Sequence, residues 1–345
     1  MGAHGEAFMK AWELEKFGQE KNLRLVERPV PVPGPGEVLV RVHAVSLNYR
    51  DKVLVEGIYM PSLQLPFVPA SDACGEVTAV GAGVTRVAAG DRVIGQFRVR
   101  WIDGKPGADE VALSLGGPLP GVLAEYVLWP QQAVVKAPKH LSYEEAATLP
   151  IAGLTAWFAL VEDGRLKAGE SVLVQGTGGV SLFAVQFAAM AGARVIVTSS
   201  SNQKLAKAKQ LGATDTVNYR TTPDWDRNVL ELTGGQGVDH VIEVGGGETF
   251  KRSLNALAID GHVAVVGFLG GMKITLDATS LIRKRARVQG IAVGHRRAFE
   301  EMNRAIEIHG LRPVIDRCFP FTGVREAFDY LDQGAFGKIV IRVFE

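Results

Sequence analysis

The centre of the chain reads Val172-Leu173-Val174-Gln175-Gly176-Thr177-Gly178-Gly179-Val180-Ser181. An apolar run typical of a buried strand passes directly into a glycine-rich turn and then into a helix. The glycines allow a pyrophosphate to approach backbone N–H groups at the helix N-terminus, where the helix dipole favours an anion. We therefore predict that Gly176, Gly178, Gly179 and Val180 contact a dinucleotide, although Ser181 replaces the third glycine of the pattern. A tight strand–helix turn without a nucleotide is the alternative interpretation.

Strands and helices alternate along the chain from about residue 150 onward. The predicted strands are 171–175, 194–198, 216–219, 238–244 and 262–268, and the predicted helices follow Gly179 or cover 205–211, 225–232 and 249–258. The helix after Gly179 has an apolar stripe at helical spacing, formed by Val180, Phe183, Ala184, Phe187, Ala188 and Ala191. This alternation predicts an α/β domain with a doubly wound parallel sheet of the Rossmann type.

The end of the second strand of this domain indicates which dinucleotide binds. An NAD site has an acidic residue there to hold the ribose 2′-hydroxyl. This chain has Ser199-Ser200-Ser201 instead, with Lys204 shortly after and Tyr219 at the end of the third strand. Hydroxyl groups and a cation suit a 2′-phosphate, which a carboxylate would repel, so NADP(H) is favoured over NAD(H). The alternative is that the serines cap a helix in a site that accepts both cofactors.

The first third of the chain is rich in predicted strands. Residues 37–44 alternate between apolar and polar side chains, and short apolar stretches at 76–80, 91–95 and 123–128 are separated by glycine-containing turns. This spacing predicts a barrel-like β domain. After about residue 295 only a helix at 297–308 and a strand at 337–343 are predicted, which is too little for a third domain. The predicted domains are therefore 1–150 with 295–345, and 151–294.

Composition excludes several classes of protein. The 345 residues include 38 Lys and Arg against 37 Asp and Glu, and a net charge of +1 gives no reason to expect nucleic acid or an anionic membrane as partner. Two distant cysteines, Cys74 and Cys318, exclude a disulfide framework and a four-thiolate zinc site. The sequence has neither a secretory signal pattern nor an apolar run of about 20 residues, which predicts a cytoplasmic protein.

The domain order resembles that of the medium-chain dehydrogenase/reductase superfamily over nearly the whole chain. The motifs that carry the resemblance are Leu47-Asn48-Tyr49-Arg50-Asp51, Gly57-Ile58-Tyr59, Gly75-Glu76-Val77, Ala89-Gly90-Asp91-Arg92-Val93, Leu154-Thr155-Ala156, the Gly176–Val180 loop and Gly337-Lys338-Ile339-Val340. The resemblance implies a GroES-like β-barrel catalytic domain followed by a Rossmann domain.

The resemblance points to the zinc-free branch, which includes quinone oxidoreductases and enone or enoyl reductases. Zinc-dependent members have a C-x-x-D motif, a Gly-His-Glu motif and a further Cys. At those places this chain has Asn48 with Asp51, then Ala70-Ser71-Asp72, then Ala152-Gly153. The segment 97–117, where a structural zinc lobe would fall, contains no Cys. We therefore expect no zinc. The stretch 101–117 is longer than in compact members and is interpreted as a lid or an interface loop.

Without a Lewis acid, hydride addition to a quinone or a conjugated C=C bond is easier than oxidation of an alcohol. The resemblance makes Tyr59 the candidate proton donor, and Asn48 would donate a hydrogen bond to the substrate carbonyl or the nicotinamide ribose. Alternatively, Tyr59 only shapes the cleft and Asn48 with Asp51 only holds the Arg50 loop. Tyr49 is a weaker candidate for the acid.

Further cofactor contacts are expected where parallel strands end, because ligands bind at the carboxyl ends of such strands. Gly245 follows the fourth strand, and Gly267 with Phe268 follows the fifth. Thr155 matches a position that approaches the cofactor in relatives. Cys74 is interpreted as a buried core residue rather than a reactive thiol.

The expected partner is a small electrophilic substrate, with no nucleic acid and no membrane. Two other functions stay open: an alcohol or carbonyl dehydrogenase of the same superfamily, and an NADPH-binding protein with little catalysis. The resemblance also implies a homodimer, paired through a strand predicted at 287–292 on the sheet edge.

Overall fold

The computed structural model describes residues 7–247 and 249–344. The chain divides into a first unit, Met1–Ile151 with Val293–Glu345, and a second unit, Ala152–Ala292.

The elements up to residue 147 belong to the first unit. They are β1 (Phe8–Leu14), β2 (Leu23–Pro29), β3 (Glu37–Leu47), α1 (Tyr49–Val55), β4 (Asp72–Val80), β5 (Arg92–Gly95), α2 (Ala108–Ala112), β6 (Tyr126–Pro130), β7 (Val134–Lys136) and α3 (Tyr143–Ala147).

The second unit alternates strands and helices. Its elements are α4 (Leu154–Trp157), β8 (Ser171–Gln175), α5 (Gly179–Met190), β9 (Arg194–Ser199), α6 (Asn202–Gln210), β10 (Asp215–Asn218), α7 (Trp225–Leu232), β11 (Val238–Glu243), α8 (Thr249–Ala256), β12 (Leu257–Val265), α9 (Ala278–Lys284) and β13 (Arg287–Gly290). The chain then returns to the first unit with α10 (Arg296–His309), β14 (Ile315–Pro320), α11 (Val324–Leu331) and β15 (Lys338–Arg342).

The sheet of the second unit has six parallel strands in the order β10-β9-β8-β11-β12-β13. The strand order reverses between β8 and β11, which is the point where doubly wound sheets bind dinucleotides. All residues of β8 except Ser171 and all residues of β11 except Asp239 are buried, as expected of a parallel sheet covered on both faces. The predicted Rossmann architecture is confirmed.

The first unit is built around β3, which pairs with β4, β6 and β15. Its sheet runs β14-β15-β3-β4-β5-β7, and only the β14–β15 pair is parallel. Val38, Val40 and Val42 are fully buried, as their alternation predicts. Beyond Ala44 every residue of β3 is buried. The alternation of buried and less buried side chains therefore stops there, although the strand continues to Leu47.

Several predicted boundaries were wrong. The helix predicted at 249–258 ends at Ala256, and the strand predicted at 262–268 begins at Leu257 and ends at Val265, because Asp260-Gly261 lies within the strand rather than before it. The strand predicted at 123–128 is 126–130, and the edge strand ends at Gly290 rather than 292. The C-terminal part contains β14 and α11 in addition to the predicted helix and strand, because β14 obtains its pairing from β15 rather than from a local pattern.

Candidate active site

The glycine-rich turn after β8 has the backbone geometry that a pyrophosphate cradle needs. Gly176 has a φ of +72°, a left-handed conformation that a side chain disfavours. Gly178 is the N-cap of α5, and a Cβ placed on it would have no neighbour within 4 Å. Gly179 and Val180 form the first turn of α5. The N-terminus of α5 therefore opens onto free space, which fits a bound diphosphate.

Ser181, the departure from the glycine pattern, is buried and stabilises the turn. Its hydroxyl donates a hydrogen bond of 2.7 Å to the carbonyl oxygen of Gln175. Ser181 thus ties the start of α5 to the end of β8. The apolar stripe predicted on α5 is correct at Phe183, Ala184, Phe187 and Ala188, whereas Val180 and Ala191 are only half-buried.

The residues predicted to select NADP(H) lie together at the ends of β9 and β10. Ser199 pairs in register with Asn218, and its carbonyl accepts a hydrogen bond of 3.1 Å from the Tyr219 backbone N–H. Ser200 and Lys204 are half-buried, and Tyr219 is 43% exposed.

One serine of this run has the capping role that the alternative interpretation gives it. The Ser201 hydroxyl accepts a hydrogen bond from the Lys204 backbone N–H and caps α6. Ser199 is buried, and its hydroxyl accepts from the Ser201 N–H. Ser200 is therefore the serine best placed to act on a ligand.

A buried carboxylate that sequence analysis missed shapes the loop after β11. Glu243 Oε1 accepts hydrogen bonds of 2.8 and 2.9 Å from the N–H groups of Gly245 and Gly246. Its other oxygen accepts from the Gln175 amide at 2.8 Å and from the Ser253 hydroxyl. Glu243 and Gln175 therefore connect the strands on either side of the point where the strand order reverses. The sequence signal for this contact was a polar residue at the end of a largely apolar strand, Gln175 in β8 and Glu243 in β11.

The other predicted cofactor residues belong to the same unit. Gly245 lies within the loop held by Glu243, Gly267 donates to the Glu243 carbonyl at 3.2 Å, and Phe268 is 42% exposed. Thr155 is buried in α4. A cavity of about 740 Å³ lies beyond these loops, lined by residues that include Gly247, Gly271 and Lys273. None of the predicted cofactor residues lines that cavity.

In the first unit, Asn48 takes part in a buried polar network. Its side-chain Oδ1 accepts a hydrogen bond of 2.6 Å from Lys338 Nζ, which also donates to the Leu47 carbonyl at 2.7 Å. The Asn48 backbone N–H donates to Asp51 Oδ2 at 2.8 Å, so Asn48 and Asp51 also hold the start of α1. In the sequence Lys338 is visible only as part of the Gly337–Val340 motif, and only the fold places it beside Asn48.

Two fully buried carboxyl groups accompany Lys338. Burial raises the pKa of Asp51 to about 6, against the opposing effect of Arg50. Burial also raises the pKa of Asp72, which accepts from the Ser71 hydroxyl at 2.8 Å and from the Ile151 N–H at 3.0 Å. Burial lowers the pKa of Lys338, and the charges of Asp72 and Asp51 oppose that shift. The network therefore places one basic group among two acids, and all three are buried.

Tyr59 lies in the turn after α1 and is 41% exposed. The Arg50 guanidinium lies over its ring, and that same guanidinium donates to the Gly116 carbonyl at 3.0 Å. Burial lowers the pKa of Arg98, whose guanidinium interacts electrostatically with Tyr59. Tyr59 therefore lies in a cationic environment. Tyr49 is 48% exposed at the first residue of α1.

The segment 101–117 is attached to α10 at its beginning. The carbonyls of Trp101 and Ile102 accept hydrogen bonds from the N–H groups of Arg296 and Arg297, and Asp103 forms an ion pair of 2.6 Å with Arg297. At the other end of the segment, the carbonyls of Leu115 and Gly116 accept hydrogen bonds from Arg50. Between these contacts lies α2, which has no buried residue; its Val111 carbonyl accepts from Arg98.

Comparison with known proteins agrees with the two units. The zinc-binding dehydrogenase family model matches residues 179–307, and the alcohol dehydrogenase GroES-like domain model matches residues 34–139. A zinc-type alcohol dehydrogenase-like protein of Schizosaccharomyces pombe is 45% identical over 96% of this chain and 97% of its own length. The quinone oxidoreductase of Homo sapiens is 30% identical over 98% of this chain and 99% of its own length.

The chain belongs to the medium-chain dehydrogenase/reductase superfamily.

Solved structures of the superfamily match over nearly the whole chain. A Sinorhizobium meliloti protein named as an alcohol dehydrogenase has a TM-score of 0.93 at 49% identity, covering 98% of this chain and 99% of its own. A mycobacterial protein in complex with NADPH has a TM-score of 0.80 at 30% identity, covering 97% and 100%. This chain is thus an oxidoreductase of the quinone oxidoreductase-like and zinc-type alcohol dehydrogenase-like family, with the GroES-like and Rossmann domains of that superfamily. The predicted family and fold class are confirmed.

The family-model description mentions zinc, but the donor set here does not fit that ion. Asn48 Oδ1 already accepts a hydrogen bond of 2.6 Å from the Lys338 amino group. A divalent cation bound to the same oxygen would lie beside that amino group and be repelled by its charge. In the described part of the chain, no three His, Cys, Asp or Glu residues group as metal ligands. Cys74 is fully buried, and burial raises the pKa of its thiol to about 12. Within the same residues, no helix is long and apolar enough to cross a membrane.

Proposed function

We propose that this protein reduces quinones or α,β-unsaturated carbonyl compounds with NADPH and without zinc. The observation that carries the proposal is the hydrogen bond between Lys338 Nζ and Asn48 Oδ1. Because an amino group occupies the oxygen that a metal would use, the site lacks the means to lower the pKa of an alcohol through a metal. A conjugated electrophile needs no such help, since its carbonyl oxygen takes up the negative charge and requires only hydrogen-bond donors.

The cofactor would bind to the second unit. Gly176, Gly178, Gly179 and Val180 would hold the pyrophosphate, and Ser200, Lys204 and Tyr219 would hold the 2′-phosphate. The buried Ser199 would stabilise the serine run through its hydrogen bond with the Ser201 N–H. Gly245, Gly267, Phe268 and Thr155 would contact the nicotinamide half. Bound NADPH supplies the hydride that adds to the β-carbon of the substrate. The absence of a carboxylate from the run 199–201 supports NADP(H) over NAD(H).

The first unit would act on the substrate. As the hydride adds, the electron pair of the C=C bond moves toward the carbonyl oxygen, which accepts a hydrogen bond from Asn48 Nδ2. Tyr59 gives its hydroxyl proton to the α-carbon, and a proton from solvent later restores the phenol. The guanidinium of Arg50 supports this role because a cation beside the ring stabilises the transient phenolate.

An activity assay tests the proposal. NADPH oxidation is followed by absorbance with phenanthrenequinone and with a 2-alkenal, each with and without EDTA, and the reverse reaction is assayed with a series of alcohols. Turnover of the quinone or the alkenal that is insensitive to EDTA supports the proposal. Activity that EDTA abolishes, or activity confined to alcohols, contradicts it. NADPH binding without turnover of any substrate supports a binding protein instead.

We also propose that two copies pair through β13. All four residues of β13 are exposed, and within the described residues the strand pairs only with β12. An open edge strand invites pairing with another strand. Two free cysteines agree with a reducing compartment, and we propose a cytoplasmic location.

A further inference from the structure

Lys338 in β15 is an unusual residue to bury. The residue is only 3% exposed, although lysine is almost never fully buried without a partner. Its two acceptors are the Leu47 carbonyl and the Asn48 side-chain oxygen, at 2.7 and 2.6 Å. The contact to Asn48 spans 290 positions of sequence.

This contact determines which way the Asn48 amide faces. An asparagine amide has an acceptor end and a donor end, and its orientation follows from its hydrogen-bond partners. Because Lys338 has only N–H donors, it binds the Asn48 oxygen, and Asn48 Nδ2 faces away from Lys338. Asn48 Nδ2 is buried and makes no hydrogen bond of normal geometry to a described residue, although the amide lies close enough to Asp72 to lower the pKa of that carboxyl.

We propose that Lys338 is a positioning residue that presents Asn48 Nδ2 as the hydrogen-bond donor for the substrate carbonyl. The inference rests on the proposed function, in which that donor stabilises the developing enolate. Without Lys338 the amide oxygen has no donor, and only the neighbouring Asp72 carboxyl still favours this orientation. An amide rotated by half a turn would present its oxygen to the substrate oxygen. Two acceptors facing each other repel, so the donor is lost even though Asn48 remains.

The test must separate positioning from charge balance. Lys338→Met retains the length of the side chain but removes every N–H donor. It also leaves Asp72 without its cation, whereas Asp51 keeps its ion pair with Arg50. The double variant Lys338→Met with Asp72→Asn also removes one acidic charge, which restores much of the balance while Asn48 stays unoriented. Lys338→Arg keeps both charge and donors.

We expect kcat for the 2-alkenal to fall about 10²-fold in Lys338→Met, the usual loss for one misplaced donor to an oxyanion. The double variant should have a melting temperature close to that of the wild type, yet its kcat should be as low as that of Lys338→Met. The kcat of Lys338→Arg should lie within about tenfold of the wild-type value. NADPH affinity, a property of the second unit, should not change. If the double variant regains wild-type kcat, Lys338 serves charge balance only and the inference is overturned.

A spectroscopic readout keeps this test independent of turnover. In protein labelled with ¹⁵N at asparagine side chains, the Asn48 amide signal is identified by its loss in Asn48→Asp. We expect both proton signals to shift or broaden in both variants that lack Lys338, because a rotated amide places its NH2 group in different surroundings. Unchanged shifts overturn the inference. If the wild type reduces neither substrate, the proposed function fails while this spectrum still decides whether Lys338 holds Asn48.

Discussion

The guanidinium carbon of Arg50 lies 5.3 Å from the centre of the Tyr59 ring. The same guanidinium forms an ion pair of 3.2 Å with Asp51 and donates to the Gly116 carbonyl. One arginine therefore connects the aromatic side chain, the buried acid and the loop that closes the segment 101–117.

Replacing Tyr59 by Phe should lower kcat for the 2-alkenal by about 10²-fold, because the variant has no hydroxyl proton to give to the α-carbon. Quinone reduction should fall much less, since both quinone oxygens take protons readily from solvent. Steady-state kinetics with both substrates measure this difference. Tyr49→Phe, a neighbouring exposed tyrosine, is the matched control. A larger loss in that control would transfer the acid role to Tyr49.

Replacing Gly178 by Ala should weaken NADPH binding by about tenfold or more, since the added Cβ points into the open space assigned to the pyrophosphate. The expected loss in the free energy of unfolding is only about 1 kcal/mol, because Ala is a poorer N-cap than Gly. Fluorescence titration and urea unfolding measure the two effects. Gly107→Ala is the control, since Gly107 is also a helix N-cap with an ordinary φ of −80°, and it lies outside the turn. Equal affinity in both variants would argue against a pyrophosphate at Gly178.

Replacing Ser200 by Asp should shift cofactor preference toward NADH. The new carboxylate repels a 2′-phosphate and can accept hydrogen bonds from a ribose 2′-hydroxyl, so the NADPH to NADH ratio of kcat/KM should fall about 10²-fold. Kinetics with both cofactors test this expectation. Lys204→Ala should weaken the binding of NADPH but not that of NADH. Lys209→Ala on the same helix should change the binding of neither cofactor. An unchanged ratio in Ser200→Asp would leave the serines with a capping role only.

Replacing Asp51 by Asn should flatten the pH dependence of stability. The pKa of Asp51 is about 6 in the folded protein, above its ordinary 3.8, so the folded state binds a proton that the unfolded state has already released. The stability from this proton is fully present below about pH 4 and is lost as the pH rises through 6, a change of about 3 kcal/mol. The amide introduced by the substitution stays neutral at every pH and avoids that loss.

The measurement is urea unfolding at about pH 4, 5 and 7 for the wild type, Asp51→Asn and the exposed control Glu231→Gln. The advantage of Asp51→Asn over the wild type should grow with pH. An advantage that shrinks with pH would mean that Asp51 is ionised at low pH and stabilised by Arg50 and Lys338.

Replacing Val288 by Lys should separate the proposed dimer. Val288 lies in the exposed strand β13, and a symmetric pair would bring like charges together along the shared edge. Light scattering after gel filtration should give the dimer mass for the wild type and the monomer mass for Val288→Lys. Ile308→Lys introduces the same charge at an exposed apolar residue of α10 and should stay dimeric. A monomeric wild type would contradict the proposed pairing.

Local patterns in the sequence were sufficient for much of the second unit. Apolar runs, glycines and helical spacing lie within a few residues of one another, so the strand–turn–helix around Gly176 and the alternation after it could be predicted before any contact was known. Predicted boundaries were wrong where strand pairing continued through residues that usually end a strand, as at Asp260-Gly261 inside β12. The run of serines after β9 was visible, but its division into the capping Ser201, the buried Ser199 and the accessible Ser200 was not.

The tertiary structure alone decided the polar networks, because their members are far apart in sequence. Lys338 reaches Asn48 across 290 positions, Glu243 meets Gln175 across 68, and His240 and His262, 22 positions apart, bring their Nδ1 atoms to 3.4 Å. A sequence pattern reports local conformation and which side chains prefer burial. Hydrogen bonds between buried polar groups depend on which strands become neighbours, and that is fixed only when the sheet has formed.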